Sequence, residues 1–391
     1  MLIAGGGIGG LATAIALGRR GIETELLERS DFGEETGAGI QLGPNATRAL
    51  GALGVLDAIK PHSFRPEAIS LYDGISGRKL ASVPLGQAID ARYGVPYLTL
   101  RRADLHAGLC ATAQSLAPVT LRPGFELGAI EVQGGAVVAR TLNGGEAKGA
   151  SLIGADGLWS TVRALIMPEV GLRFAGATAW RARVRRGNLP APYDAPVVGL
   201  WLGPRTHLVH YPVRRGEDVN VVAVTEGGAE RQGWNQANGI ETLLGSFTRW
   251  SKESKSLLER AEGWRSWSLY RLPSLRSWSK GPFTLLGDAA HPVLPFLAQG
   301  AALAIEDAVT LASCLAERPA DPSTAFLRYE DLRRPRVARV QTLSRRYGWL
   351  YHLRGPLRLA RNLALERRNE ERALQSLDWL YRDEAQQARV D

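Results

Sequence analysis

Short apolar runs recur along the chain, each stopped by glycine, and this pattern predicts strands buried on both faces. Leu2–Ala4, Leu152–Gly154 and Phe283–Leu286 are the clearest. Leu11–Arg20 is rich in Ala and Leu and predicts a helix stopped by Gly21, followed by a strand at Thr24–Leu27. Thr36–Leu42 reads as a glycine-containing loop, and Asn45–Leu53 as a helix with Asn45 as its N-cap. Residues 66–85 read as hairpin strands around Asp73-Gly74 and Ser76-Gly77. Tyr97–Leu100 predicts a strand and Arg102–Gln114 a helix; strands at 118–122, 127–132 and 136–141 follow, with a turn at Asn143-Gly144. From 171 to 225 the pattern is β, including Val197–Leu202, His207–Tyr211 and Asn220–Val224. Residues 239–262 read as helix, and from Gly300 the chain reads as mostly helical, broken at Pro319–Pro322 and Gly355-Pro356.

This order predicts an α/β protein with a Rossmann-like nucleotide-binding domain, an inserted β-rich (α+β) substrate domain and a C-terminal helical region. The expected boundaries are 1–65, 98–165 and 275–320 for a discontinuous nucleotide domain. The substrate domain takes 66–97 and 166–274, and the C-terminal helices take 321–391.

Composition narrows the class. With 391 residues, 45% of them hydrophobic and a mean hydropathy of −0.12, the chain is globular. It has no apolar run of about 18 residues, so no membrane span is expected. It opens directly into a strand without a signal-like segment, so a cytoplasmic protein is expected. Met1 stands so close to Gly5 that the first strand is either clipped or begins upstream. Cys110 and Cys314 form no CxxC pair, and there is no HExxH, so no metal is expected. The net charge of +9 comes mainly from arginine, scattered among acidic and apolar residues as on solvated helix faces. No nucleic-acid motif accompanies it; a basic surface suits steering of anionic ligands instead.

The sharpest local signal is Gly5-x-Gly7-x-x-Gly10 between the first strand and its helix, with Glu28 closing the next strand. The first glycine permits the turn, the second lets a pyrophosphate approach the backbone, and the third lets helix pack on strand. The helix N-terminus faces the phosphates, and Glu28 suits ribose hydroxyls. Three further segments carry chemistry. Arg102 opens a helix in Leu100-Arg-Arg-Ala-Asp-Leu105. Asp156 ends a strand in Gly154-Ala-Asp-Gly-Leu-Trp-Ser-Thr-Val-Arg163, where Ser160 suits a helix cap. Asp288 ends another in Gly287-Asp-Ala-Ala-His-Pro-Val-Leu-Pro295-Phe-Leu-Ala-Gln-Gly300, after which a helix aims its positive end back at the site.

Taken in this order, the four motifs resemble those of the FAD-dependent aromatic hydroxylases, single-component flavoprotein monooxygenases similar to salicylate hydroxylase and 3-hydroxybenzoate 6-hydroxylase. Trp379-Leu-Tyr381 resembles the close of that family. The resemblance implies FAD as cofactor. Gly5, Gly7, Gly9 and Gly10 would hold its pyrophosphate, Glu28 its ribose and Arg29 its adenine edge. Arg102 would meet the diphosphate and ribityl region, Asp288 a ribityl hydroxyl, and Asp156 both FAD and NAD(P)H. Pro295 and Gly300 would flank the isoalloxazine, with Gln41 close by. The family pattern departs at Arg101, where a histidine is common, and at Gln41, where some relatives carry a histidine base. Gln41 is no base, so the proton acceptor comes from elsewhere.

The implied reaction consumes NADH or NADPH and O2 and hydroxylates a small aromatic, such as salicylate or 3-hydroxybenzoate, through a flavin C4a-hydroperoxide. His207 is the candidate base, and Tyr211, on the same strand face, the candidate orienting group; His210 points the other way. A structural role for His207 stands beside that reading. Arg181 or Arg183 is the candidate partner of a substrate carboxylate. No second GxGxxG exists, so NAD(P)H visits without its own Rossmann domain. A monomer or homodimer is compatible with the sequence. The alternatives are a flavin-dependent epoxidase, an oxidase of another ring substrate, or a non-catalytic flavin-binding protein.

Overall fold

The computed structural model describes residues 1–32, 39–228, 230, 236–237 and 240–382. Its first sheet has six strands in the order Ser279–Lys280, Phe283–Leu285, Leu152–Gly154, Leu2–Ala4, Thr24–Leu27 and Val119–Arg122. All neighbours are parallel except the first pair, which is antiparallel. The three short apolar runs therefore lie side by side although far apart in sequence. Helix Ile8–Gly18 starts earlier than its sequence pattern suggested and is buried along almost its whole length. An apolar helix with no polar face must be enclosed, and helix Gly300–Glu317 packs beside it.

The second large sheet has eight strands. Its order is Gln236–Ala237, Glu262–Arg271, Arg173–Arg185, Asp218–Glu226, Thr206–Val213, Val198–Gly203, Ala68–Asp73 and Lys79–Pro84. Directly paired residues share a face. His207 pairs with Val224 and so with Ala179; Tyr211 pairs with Asn220 and so with Arg183. The opposite face carries Trp180, Trp201, Leu208, Val221 and Ala223, which pack under Leu243, Phe247, Leu257 and Leu258. Period two thus separates a sealed rear face from a front face turned toward the nucleotide-binding sheet. Asp218–Glu226 and Thr206–Val213 supply the centre of both.

Two local readings are corrected. Gly43, not Asn45, is the N-cap of helix Pro44–Ala52. The Asn45 amide lies inside the helix and donates to Gln299 Oε1 at 2.9 Å and Glu306 Oε1 at 2.6 Å. Tertiary partners have claimed a side chain that a cap would otherwise use. The helix read over 239–262 is two helices, Ile240–Ser246 and Lys252–Arg260. Between them Phe247 and Trp250 are buried, and Ser251 accepts from the Ser254 N–H to start the second helix. Residues 36–38 of the glycine-rich stretch lie outside the described residues, and Gly39–Leu42 is a strand paired with Leu98–Arg101.

Helix Pro322–Tyr351 braces the loop that joins Phe283–Leu285 to helix Gly300–Glu317. Gln341 Nε2 donates to Pro292 O, Ser344 Oγ to Leu294 O and Tyr351 Oη to Phe296 O. Deeper, the fully buried Asp307 accepts from Arg333 Nε at 2.6 Å, His291 Nε2 at 2.7 Å and Gly287 N at 3.2 Å. Burial pushes its carboxyl pKa up, but His291 and Arg333 more than offset this and hold it at about 2. No helix among the described residues is long and apolar enough to cross a membrane.

Replacing Arg333 by Met takes from Asp307 the guanidinium that donates to it directly. We expect a loss of about 3 kcal/mol or more in urea unfolding of the FAD-loaded chain. Because the Asp307 pKa is depressed from 3.8 to about 2, its contribution is present above pH ~4 and lost as pH falls toward 2. Acid unfolding of the parent protein should therefore steepen over that window and flatten in Arg333→Met.

Candidate active site

The cofactor side of the site is built by backbone close approach. Gly5 has φ +103°, and a β-carbon there would lie 2.6 Å from Ala155 O. A β-carbon on Gly10 would lie 1.8 Å from Gly5 O, so glycine is required by the protein itself. Gly7 is different. Its φ of −73° suits any residue, and a β-carbon there would meet no protein atom within 4 Å. Nothing in the chain demands glycine at that position, whereas a pyrophosphate laid on the helix N-terminus does.

The helix starts tell the same story. Helices beginning at Thr161, Lys252, Pro322 and Glu370 have side-chain caps from Ser160, Ser251, Asp321 and Asn369. Helices Ile8–Gly18 and Gly300–Glu317 have neither a side-chain cap nor an acidic residue in the first turn, a condition they share with Pro44–Ala52, Gly86–Tyr93 and Gly355–Glu366, but these two start beside the glycine turn and the Asp288 loop. Their N–H groups and positive dipole ends are left for an anionic ligand.

Glu28 stands beside the glycine turn, accepting from Gly6 N at 2.6 Å and from Ser30 N and Oγ at 2.9 and 2.8 Å. His106 Nε2 lies 2.8 Å from Gly6 O and ties helix Arg102–Gln114 to that turn, a role no motif announced. Arg29 is exposed at the adjacent corner. Asp288 lies in a crevice, open to solvent yet closely surrounded. Crowding raises its carboxyl pKa, against the lowering charges of His291, Arg102 and Arg163. Arg102 and Asp288 are thus brought together. Asp156 uses its carboxylate to accept from Ser160 Oγ and Val162 N, capping helix Thr161–Ile166. Arg163 then donates to Ala289 O at 2.8 Å, fastening that motif to the Asp288 turn. Arg101, where relatives often have histidine, folds onto Asp104 of its own helix. These residues fit an FAD: two uncapped helix ends, an open glycine edge, a ribose carboxylate, and an Arg–Asp pair between them.

Facing them is the front of the eight-stranded sheet. His207 is buried, with its ring 5.4 Å from Phe296 and 5.5 Å from Tyr351, centroid to centroid. Phe296 follows Pro295, which is exposed within the braced loop. Burial and the neighbouring His352 hold the His207 imidazole well below its usual 6.5. Four residues along the same strand, Tyr211 is buried near Gln41, and burial pushes its phenol pKa up. Tyr97 Oη donates to Gln41 Oε1 at 2.8 Å. Gly39 N donates to Asn220 Oδ1 at 2.8 Å, while the buried Asn220 Nδ2 has no protein partner. The charge of Arg181 acts on Tyr211, and its guanidinium lies 5.3 Å from the centre of the Trp267 ring. Arg183 lies instead within 3.8 Å of Asp218. His210 sits on the rear face, accepting from Trp201 Nε1 and held by burial at about 3. Tyr97, Asn220, Tyr351 and His352 had no sequence signal, since their neighbours come from distant segments. Among the described residues no His, Cys, Asp and Glu cluster could hold a metal.

The model of the FAD binding domain family matches residues 1–344. The chain is 37% identical over 382 residues to a 3-hydroxybenzoate 6-hydroxylase of Polaromonas naphthalenivorans, covering 97% of this chain and 95% of that one. The chain belongs to the FAD-dependent aromatic hydroxylase family. It is accordingly an FAD-dependent monooxygenase, an oxidoreductase that uses O2 and reduced nicotinamide. A second hydroxylase relative, a 3-amino-4-hydroxybenzoate 2-monooxygenase of Streptomyces platensis, is 37% identical over 385 residues, covering 98% of this chain and 96% of its own. A salicylate hydroxylase solved with substrate has the same fold, with a TM-score of 0.83 and 23% identity over 100% of this chain and 97% of that one. The hydroxylase fold, with its Rossmann-like sheet, β-rich partner and helical C-terminal region, is therefore as its sequence pattern implied.

Gly7→Ala and Gly10→Ala should part company. Gly7→Ala should keep the apo-protein melting temperature within about 2 °C and weaken FAD at least about tenfold, read by flavin fluorescence. Gly10→Ala should lower the melting temperature of the apo-protein itself. Equal FAD affinity in Gly7→Ala and the parent would contradict this assignment.

Proposed function

We propose that this hydroxylase acts on a hydroxybenzoate, with His207 as the base that ionises the ring hydroxyl and Tyr211 as the group that orients the ring. The observation that carries this reading is the placement of His207. It is a buried, neutral imidazole packed on Phe296, directly after the loop proline that the family resemblance sets beside the isoalloxazine. Both hydroxylase relatives are named for hydroxybenzoates, which share a phenol and a carboxylate.

When bound, FAD would supply the redox chemistry, acceptance of hydride from NAD(P)H and, with O2, transfer of an oxygen atom to the ring. The chain does the rest. Gly5, Gly7, Gly9 and Gly10 with the Ile8 helix end hold the pyrophosphate; Glu28 and Arg29 hold the adenosine. Arg102 and Asp288 hold the ribityl region, and Asp156 fixes the turn against Gly5. Pro295, Gly300 and Gln41 border the ring system. A phenol is a poor nucleophile until it loses its proton, and a base at that oxygen raises the electron density of the ring. Packing around His207 keeps water away, and Arg181, whose charge acts on Tyr211, is the group that would meet the carboxylate. The need for NAD(P)H suits a cytoplasmic site of action.

The test is NADH and NADPH oxidation by the FAD-loaded protein with salicylate, 3-hydroxybenzoate and 3-amino-4-hydroxybenzoate, with product masses. At least one should stimulate oxidation and gain one oxygen atom. His207→Asn should lower kcat by about a hundredfold while FAD affinity stays near the parent value. Arg181→Gln should raise KM for that acid about tenfold or more and leave KM for the corresponding amide unchanged. Failure of all three acids removes the hydroxybenzoate reading.

A further inference from the structure

His207 does not end its contacts inside the protein. Its Nδ1 lies 2.8 Å from His352 Nε2, and His352 Nδ1 lies 2.7 Å from Glu226 Oε1. The two imidazoles are buried, but the Glu226 side chain is 39% exposed. The three groups come from three places: the centre of the eight-stranded sheet, the end of helix Pro322–Tyr351 and the end of strand Asp218–Glu226. We propose that His352 and Glu226 join His207 to solvent as a proton path, which carries the hydroxyl proton of the bound aromatic outward and returns one as product leaves. This rests on His207 being the base.

With His352 neutral, elimination along the chain sets the tautomers. An ionised carboxylate only accepts, so His352 Nδ1 carries hydrogen and donates to Glu226. A neutral His352 then has only a lone pair at Nε2, so His207 Nδ1 carries hydrogen and donates to it. The lone pair of His207 is thereby placed on Nε2, the nitrogen left to take the substrate proton. Glu226 sets this polarity from the far end of the relay, two side chains away from the ring it serves.

The outward step balances. The substrate O–H bond breaks as His207 Nε2–H forms; His207 Nδ1–H breaks as His352 Nε2–H forms; His352 Nδ1–H breaks as Glu226 Oε1–H forms. Each proton shifts one place, no electrons are exchanged, and one net proton reaches Glu226, which passes it to water. The reverse run, from water to Glu226 to product oxygen, restores the starting tautomers. The surroundings suit this traffic. His207 is a weak base chiefly because of its burial, so it passes a proton on rather than holding it. The His352 hydrogen bond, against partial burial, holds the Glu226 carboxyl below its usual range, with Arg205 Nε 3.6 Å away and Arg354 adding to the effect. The remaining groups packed on His207, Phe296 and Tyr351, carry no charge that competes for the proton.

The relay is tested on the FAD-loaded full chain with 3-hydroxybenzoate as probe. Proton release on ligand binding is followed by stopped flow with an indicator dye in weak buffer, beside the ultraviolet shift of phenol ionisation. In the parent the two should rise together. Glu226→Gln and His352→Gln should slow both at least tenfold, with ligand Kd changed less than threefold. Glu226→Asp, which keeps an acceptor-only carboxylate, should recover most of the rate. Parent-like release in Glu226→Gln and His352→Gln overturns the relay, even if their melting temperatures fall, because that pattern is a purely structural role. If His207→Asn alone stops release while those two variants do not, the base stands and the relay falls. If His207→Asn releases protons as the parent does, or the parent releases none, the base reading fails and the relay with it.

Discussion

A single carboxylate without access to water organises this site. Asp307 sits on the buried side of helix Gly300–Glu317 and carries its charge because Arg333, His291 and the Gly287 N–H converge on it. An unpaired charge there would cost several kcal/mol. The same contacts fix the turn at Gly287, and with it Asp288, on the cofactor side. They also fix the start of the loop that delivers Phe296 to His207. One cluster of contacts thus ties the Asp288 turn to the loop that carries Phe296.

Around that anchor, two kinds of periodicity cooperate. Period two in the eight-stranded sheet sends His207 and Tyr211 to the front and His210 to the rear, where it is held neutral by apolar packing. Helical spacing in Pro322–Tyr351 puts Gln341, Ser344 and Tyr351 on one stripe, where they take the carbonyls of Pro292, Leu294 and Phe296. Three alternating carbonyls of the loop, the last within its short 3-10 turn Pro295–Leu297, are thereby satisfied without a sheet. The long helix therefore acts as a splint for the loop, and its C-cap residue, His352, stands beside His207.

What could be read from the sequence followed from local spacing. The glycine turn, the Asp156 and Asp288 strand ends, the three parallel strands and the two faces around His207 all depend on residues within a few positions of each other. Ser160 is legible for the same reason, and it does cap its helix. The missed features are the ones set by distant partners. His207 and His352 are 145 positions apart, and His106 meets a glycine turn 100 positions away. Asn45 looked like a cap because local rules see its side chain and not Glu306 or Gln299. The stretch 239–262 looked like one helix because its apolar residues suit either state; the need to bury Phe247 and Trp250 under the sheet breaks it.

Our central proposal is that this site joins a buried base to an FAD so that an atom of O2 enters a phenolic ring. The most direct measurement is reaction of the FAD-loaded protein with NAD(P)H and 3-hydroxybenzoate under 18O2, followed by mass analysis of the aromatic product and a peroxide assay. The account predicts a product that contains one 18O per turnover and little peroxide. Rapid NAD(P)H oxidation that yields only hydrogen peroxide and unchanged 3-hydroxybenzoate, or a product whose new oxygen comes from water, would contradict it.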